Sequence, residues 1–247
     1  MRIRHVINVV GPSARPDLLA EQGYRTWGIG DWAGADLRKL GFGFHRVDAP
    51  DDQWNLKYYL RQGPMDLRLF LTLFTHNRFG KRFLPELYYL AGVPLTTELG
   101  RATRHAISDS ARTGKPFLIN LFTATTHVPF GCEYPYYTLF TDHDYDGESK
   151  FVMTKLADPM EIIQKQEACK DVFDVEQILK LYDGCVRRFD DEIGRICDHL
   201  RACGLAENTI VVIYSDHGTD FFENHTWGQG NTVMGSDPSA RVPLLIV

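Results

Sequence analysis

The chain has 247 residues, 44% of them hydrophobic and 24% charged, enough apolar material for a sizeable core and far from the composition of a disordered chain. The formal net charge of −5 excludes nucleic acid as an expected partner, because phosphate affinity is carried mostly by Lys and Arg. No stretch approaches the roughly 20 apolar residues of a membrane span; the longest run is Leu69 to Phe74.

The five cysteines, Cys132, Cys169, Cys185, Cys197 and Cys203, include no C-x-x-C pair and read as reduced thiols. Arg2 and Arg4 precede a short apolar run, Val6 to Val10, that is broken by Asn8 and stopped by Gly11-Pro12, which does not make a signal peptide. On that ground alone a cytoplasmic location is expected; a longer natural N-terminus would instead allow a periplasmic or membrane-associated one.

Taken in order, residues 1–50 read as a helix-then-strand unit. Val6 to Val10 is strand-like, Arg15 to Gln22 is helical, Gly23 stops the helix and Tyr24 to Ile29 forms a strand. Residues 51–115 are rich in Leu, Phe and Tyr at helical spacing, and are expected to form helices packed over a sheet. Within them Arg78, Lys81 and Arg82 read as a solvated face.

Phe117 to Phe122 is nearly all apolar, as a strand buried on both faces should be. A loop rich in aromatic and acidic residues follows, from about Phe130 to Asp158. Apolar residues then recur at Ile178, Tyr182, Cys185, Phe189, Ile193, Ile196 and Leu200, one stripe along an amphipathic helix that Gly204 ends. Thr209 to Tyr214 is a β-branched run and a second buried strand. Strand, helix, strand implies parallel strands joined by a crossover, and ligands of such sheets bind beyond the carboxyl ends of the strands.

Those ends carry Thr125-Thr126-His127 and Ser215-Asp216-His217-Gly218. Asp216 and His217 would point to opposite faces of a continuing strand, but Gly218 allows the backbone to break from extended geometry so that they converge. A carboxylate oxygen with an imidazole nitrogen suits Ca²⁺, Mn²⁺, Mg²⁺ or Zn²⁺. Two ligands are half a site, and a hydrogen-bonded histidine in an Asp-His-Gly turn accounts for the same residues on chemistry alone. Asp142-His143-Asp144-Tyr145-Asp146-Gly147 begins like a calcium loop, but its twelfth position is Met153 instead of Glu, and a solvated acidic loop is the better reading.

A wider pattern decides between them. Asn208 through Ser215-Asp216-His217-Gly218, then Trp227-Gly228 and Arg241-Val242-Pro243, resembles the sulfatase family of the alkaline-phosphatase-like superfamily. Lys115-Pro116-Phe117 through His127-Val128-Pro129-Phe130 is similar to the family's strand ending in His-x-Pro-Phe. Tyr182-Asp183 and Asp190 to Gly194 fit its preceding helix, and Leu18 to Thr26 resembles the helix and turn after its nucleophile region.

The resemblance implies an α/β fold of three layers, α/β/α, with a mainly parallel central sheet, incomplete here: one catalytic-domain fragment over 1–247 without the nucleophile-bearing front portion and the C-terminal subdomain. It implies a metal-assisted hydrolase of small-molecule or glycan sulfate esters, or of phosphate esters. Asp216 and His217 would supply the second half of the ligand set of a divalent ion (Ca, Mn or Mg). His127 would bond the ester oxygens or assist the leaving group, with a histidine packed under the aromatic loop as the alternative. His225, Gln229 and Asn231 are candidates for substrate contact or parts of a polar loop.

Three departures stand against activity of this chain alone. No acidic pair follows Val6 to Val10. No nucleophile stands in the family's Cys/Ser-x-Pro-x-Arg context, since Ser13 follows Pro12 instead of preceding it. The family's sulfate-binding Lys and His are absent from Gly28 to Gly34, and its later Lys is Gln229. A non-catalytic binding protein of the same fold, or a fragment of a split gene, is therefore the alternative.

Overall fold

The computed structural model describes residues 4–9, 16–39, 42–50, 65–90, 92–153, 174–223, 227–228 and 237–247. They fall into two compact units. The first comprises residues 1–124, 190–214 and 244–247; the second comprises 125–189 and 215–243.

The first unit is built on a sheet of six strands: β1 (His5–Val9), β2 (Arg25–Gly30), β3 (Arg46–Asp48), β4 (Phe117–Phe122), β5 (Thr209–Tyr214) and β8 (Leu244–Ile246), in the order β3-β2-β4-β1-β5-β8. Neighbours are parallel except β8, which runs antiparallel to β5. The α/β class expected from the sequence is what the chain adopts. The two strands with the clearest pattern, β4 and β5, are parallel but not adjacent, because β1 lies between them. Its short run of Val and Ile lies in the interior of the sheet, and Ile7 and Val9 are fully buried.

Helix α1 (Pro16–Glu21) begins on a proline, whose missing N–H would be unpaired there anyway. It ends at Gly23, whose φ of +84° suits glycine, and Tyr24 N–H then donates to Leu19 O at 3.0 Å. A short helix α2 (Asp36–Lys39) follows β2. In the middle of the chain come α3 (Met65–Thr75), α4 (Arg78–Phe83), α5 (Pro85–Tyr88) and α6 (Thr96–Thr113).

Only part of this stretch meets the expectation of helices laid over the sheet. Helix α6 packs on β2 and β4 through a face that includes Leu99, Thr103, Ala106 and Ile107, whereas α3, α4 and α5 pack mainly on one another. The long helix α7 (Val175–Ala202) carries the predicted stripe, and none of its seven apolar positions is exposed. Its part from Asp190 onward lies in the first unit. There the Glu192 carboxylate is buried and paired with Arg104 and Arg195, in space that a side chain at Gly100 would fill.

The second unit is organised by an aromatic cluster. Phe130, Phe221, Phe222 and Trp227 are buried together with Met153, Ile178, Leu181 and Cys185, and Tyr182 packs against them. The Phe130 ring lies 5.5 Å from Tyr182 and 5.5 Å from Phe221, and Trp227 stacks on Phe222 at 5.4 Å. Phe221 and Trp227 belong to a small antiparallel pair, β6 (Asp220–Phe221) and β7 (Trp227–Gly228). A short helix α8 (Asp237–Ala240) completes this unit.

The described part of the acidic-aromatic loop, to Met153, is irregular apart from a 3₁₀ turn at Tyr136–Thr138. It meets α7 at Gly184, where a Cβ would stand 2.5 Å from Tyr136 O. Arg188, 1% exposed, pairs with Glu133 and lies over the Tyr136 ring. Four cysteines, Cys132, Cys185, Cys197 and Cys203, are free thiols; Cys169 lies outside the described residues.

Phe130 is fully buried yet has a φ of +59°, a left-handed conformation that bulky residues rarely adopt. Truncating its ring leaves a cavity without relieving the backbone. The Phe130→Ala variant is expected to lose about 3–5 kcal/mol of stability, read as a shifted urea midpoint.

Candidate functional site

Strand β5 ends at Tyr214 and the chain continues directly into Ser215-Asp216-His217-Gly218. The turn there is set by short polar contacts. Ser215 Oγ donates to His217 O at 2.6 Å, and His217 N–H donates to Asp216 Oδ1 at 3.1 Å. Gly218 N–H donates to Ser239 O at 2.8 Å, and a Cβ on Gly218 would stand 1.8 Å from Pro238 O. Glycine is required here by the close approach of another backbone, which is a stronger constraint than the break from extended geometry read from the sequence.

These contacts orient the imidazole. His217 Nδ1 lies 2.8 Å from Gly218 O, and a carbonyl can only accept, so Nδ1 carries the hydrogen and Nε2 of the neutral ring carries the lone pair. Nε2 is 3.8 Å from Asp216 Oδ2, with the two side chains about one-third and one-half exposed. Two donors at about 2.0–2.2 Å from one tetrahedral ion stand about 3.3–3.6 Å apart, so this pair would have to close by a few tenths of an ångström to share one. A ligating histidine that donates its other N–H to a backbone carbonyl is also the usual arrangement at metal centres. Asp216 and His217 thus set a carboxylate oxygen and an imidazole nitrogen side by side, a donor pair of the kind that divalent cations accept. No group of three His, Cys, Asp or Glu suited to a metal occurs among the described residues.

His127 follows β4 and belongs to the same unit as Asp216 and His217. Its Nδ1 lies 2.6 Å from Val128 O, so it is protonated at Nδ1 and presents Nε2 as the basic nitrogen, as His217 does. The loop is tied down by Phe130 N–H to His127 O at 3.0 Å, and by Met153 N–H to Pro129 O at 2.9 Å. Phe130 enters the aromatic cluster that also receives Phe221, three residues past Gly218. One core thus anchors both histidine-bearing loops.

His225, Gln229 and Asn231 lie outside the described residues, as does Ser13. The acidic loop carries no ligand cluster: His143 and Asp144 are fully exposed, and Asp142 pairs with Lys180 at 2.9 Å.

The family whose model matches the chain is Sulfatase, over residues 12–247. The chain belongs to the sulfatase family. Among sulfatase relatives it is similar to the multifunctional alkaline phosphatase superfamily protein PehA of Trinickia caryophylli, 24% identical over 152 residues, which are 55% of this chain and 29% of PehA. Its fold is similar to the phosphonate monoester hydrolase of Agrobacterium radiobacter, with a TM-score of 0.54 at 19% identity over 93% of this chain and 51% of that one. It is equally similar to the putative sulfatase yidJ of Bacteroides fragilis, with a TM-score of 0.54 at 17% identity over 96% and 50%. The chain thus spans about half or less of the length of these relatives. The family is one of hydrolases.

Asp31 lies in the stretch where the sulfatase resemblance led one to look for a Lys and a His. It follows β2, is fully buried, and accepts from Ala33 N–H at 3.2 Å and Ala124 N–H at 2.8 Å, with a further backbone bond from Leu95. Burial pushes its carboxyl up to about 7, against the pull of those amides. Here a carboxylate cross-links three chain segments at the carboxyl edge of the sheet, a role no motif announces.

The central polar contacts of the sheet were equally unannounced. Asn8 Nδ2 donates to Asn120 Oδ1 at 2.7 Å and to Tyr214 Oη at 3.2 Å. A separate cleft of about 280 Å³, lined by Arg25, Trp27, His45, Arg46, His105 and Asp109, opens where β2 and β3 begin, the end of the sheet away from Asp31.

Two predictions follow from these contacts. Gly218→Ala is expected to cost about 2 kcal/mol or more, read as a lowered thermal midpoint, because backbone must move to admit the methyl group. For Asp31 the folded carboxyl is raised above its unfolded value, so its stabilising contribution is complete in acid and is lost as pH rises to about 7. Urea unfolding at pH 5 and pH 8 should show wild type losing more stability over that interval than Asp31→Asn, by at most about 1.4 kcal/mol per pH unit. Equal losses would assign the pH dependence elsewhere.

Proposed function

We propose that this chain carries half of the centre of a metal-assisted hydrolase of sulfate or phosphate esters. The observation that supports this is the pair formed by His217 Nε2 and Asp216 Oδ2, 3.8 Å apart, with the Nδ1 hydrogen committed to Gly218 O. Asp216 and His217 would hold a divalent cation, with Ca, Mn and Mg as candidates. When bound, such an ion polarises the sulfuryl or phosphoryl oxygens and stabilises the charge that develops on them.

The remaining chemistry belongs to side chains. Neutral His127 accepts a proton at Nε2; protonated, it donates from Nε2 to an ester oxygen or to the leaving group. Its Nδ1 bond to Val128 O keeps the ring in one tautomer through that cycle. His225 and Gln229 are the candidates for contact with the remainder of a small-molecule or glycan ester. The name of the phosphonate monoester hydrolase from Agrobacterium radiobacter supports keeping phosphorus esters beside sulfates as substrates. The nucleophile is not assigned to any residue of this chain.

A second reading is a non-catalytic binding protein of the sulfatase fold. It is favoured by the lack of a third metal ligand grouped with the other two among the described residues.

Hydrolysis of 4-nitrophenyl sulfate and 4-nitrophenyl phosphate, with and without added Mn²⁺ or Ca²⁺, separates the readings when wild type is compared with Asp216→Ala. The expected result is metal-dependent turnover that falls at least about tenfold in the variant, along with metal affinity measured by calorimetry. Equal background rates in both proteins would end the catalytic reading. Metal-dependent binding of the ester without turnover would establish the second.

A further inference from the structure

Cys132 and Cys185 are far apart in the chain and meet in the second unit. Cys185, on α7, is fully buried in the aromatic cluster. Cys132 is half-buried on the loop that follows Phe130 and packs against the same cluster. The two thiols are hydrogen-bonded to each other. No C-x-x-C spacing announces such a pair; the fold alone assembles it.

Contacts on either side of Cys132 hold its loop against the helix. A Cβ on Gly184, the residue before Cys185, would stand 3.6 Å from Cys132 Sγ and 2.5 Å from Tyr136 O. The loop therefore approaches α7 more closely than a side chain at position 184 would allow. One turn further along α7, the buried Arg188 pairs with Glu133 at 2.5 Å and lies 5.1 Å from the centre of the Tyr136 ring. On the other side the Phe130 ring packs 5.5 Å from Tyr182, also on α7. Cys132 is flanked by residues fixed to α7, and they keep its sulfur at that of Cys185.

The two sulfurs are chemically unequal. The hydrogen bond to Cys132, and then burial, push the Cys185 thiol well above its usual range, so it stays protonated. Cys132 is the sulfur that an incoming reagent can reach, and Cys185 is the one placed to resolve what forms there. Closing a bond between them asks for a small approach of two side chains in contact, whereas segments that only face each other at a distance would have to move backbone.

We infer that Cys132 and Cys185 form a dithiol site that a small-molecule disulfide, of the class of oxidised glutathione, converts to an intramolecular disulfide joining the loop to α7. The Cys132 thiolate attacks one sulfur of the reagent, whose S–S bond breaks and releases one thiolate. Cys185 then gives up its proton and attacks Cys132 Sγ, which releases the second. Two protein thiols are oxidised by two electrons, the reagent is reduced to two thiols, and the two protons pass to its thiolates. The new bond closes residues 132–185 into a covalent ring. It also ties to α7 the loop on which His127 stands five residues before Cys132.

Incubating the full chain with oxidised glutathione, blocking residual thiols with iodoacetamide and mapping the peptides by mass spectrometry tests the inference. The expected product is a Cys132–Cys185 cross-link, with two of the five thiols lost to Ellman titration of the denatured protein. The cross-linked protein should melt at least about 4 °C above the reduced one, and dithiothreitol should reverse the shift. Cys132→Ser, at the half-buried position, should show neither the cross-link nor the shift. Peptide mapping reads the wild-type chain directly, so the outcome does not depend on whether a variant folds. Glutathione retained on Cys132, a disulfide formed through Cys169, Cys197 or Cys203 instead, or two thiols that stay free overturns the inference. So does a cross-link that leaves the melting midpoint unchanged or lower.

Discussion

The placement of the candidate site rests on one packing arrangement, the aromatic cluster of the second unit. Phe130 and Phe222 both sit in it with positive φ, at +59° and +70°. Each such conformation costs on the order of 1–3 kcal/mol. Burying a phenylalanine side chain contributes roughly 1.5–3 kcal/mol, and each aromatic pair adds about 0.5–1.5 kcal/mol. Phe130 has two ring neighbours, Tyr182 and Phe221, and Phe222 stacks on Trp227. Burial and ring contacts together outweigh the backbone cost, so both loops are held in turns they would not keep in water. The loop of His127 and the segment after His217 are consequently positioned by one core.

Local hydrogen bonds then finish what packing begins. His127 and His217 use the same device: Nδ1–H donates to the carbonyl one residue ahead, which fixes the tautomer of each ring. Asp216 Oδ1 accepts the His217 amide while Oδ2 stands 3.8 Å from His217 Nε2, so one carboxylate shapes the turn and faces the imidazole. In the first unit the polar groups serve the sheet. Asn8 and Asn120 face each other across β1 and β4, in register, and a one-residue slip would leave their amides buried and unpaired. Asp31 secures the backbone at Ala33, Leu95 and Ala124 from the end of β2. A residue that performs this work cannot also bind an anionic ester, which accords with the absence of the family's sulfate-binding lysine at this stretch.

Much of the fold was legible because it rests on patterns that survive any context. The run Phe117–Phe122 is a strand buried along almost its whole length, Thr209–Tyr214 is a strand of which only Thr209 and Val211 are buried, and the stripe from Ile178 to Leu200 is one helix face. The position of β1 was not legible, since Val6 to Val9 has the composition of a buried strand but nothing in it says which strands flank it. The histidines could be picked out by residue type and by resemblance, yet their tautomers depend on carbonyls placed by the turns. The sequence shows in Gly218 only the freedom to break from extended geometry, whereas its deeper constraint is the Pro238 carbonyl, twenty residues further on. Asp31 escaped notice because a buried carboxylate bonded to backbone amides has no signature apart from its three-dimensional setting.

The middle helices show most clearly where pattern runs out. Leu67, Phe70, Leu73 and Phe74 recur at the spacing of a core-facing helix, and periodicity is blind to whether the face it draws is covered. Net charge is blind in a related way. A total of −5 argues against anionic partners in general, but charges beyond about 8–10 Å are screened at physiological salt, and a surface in contact responds to what lies within that distance.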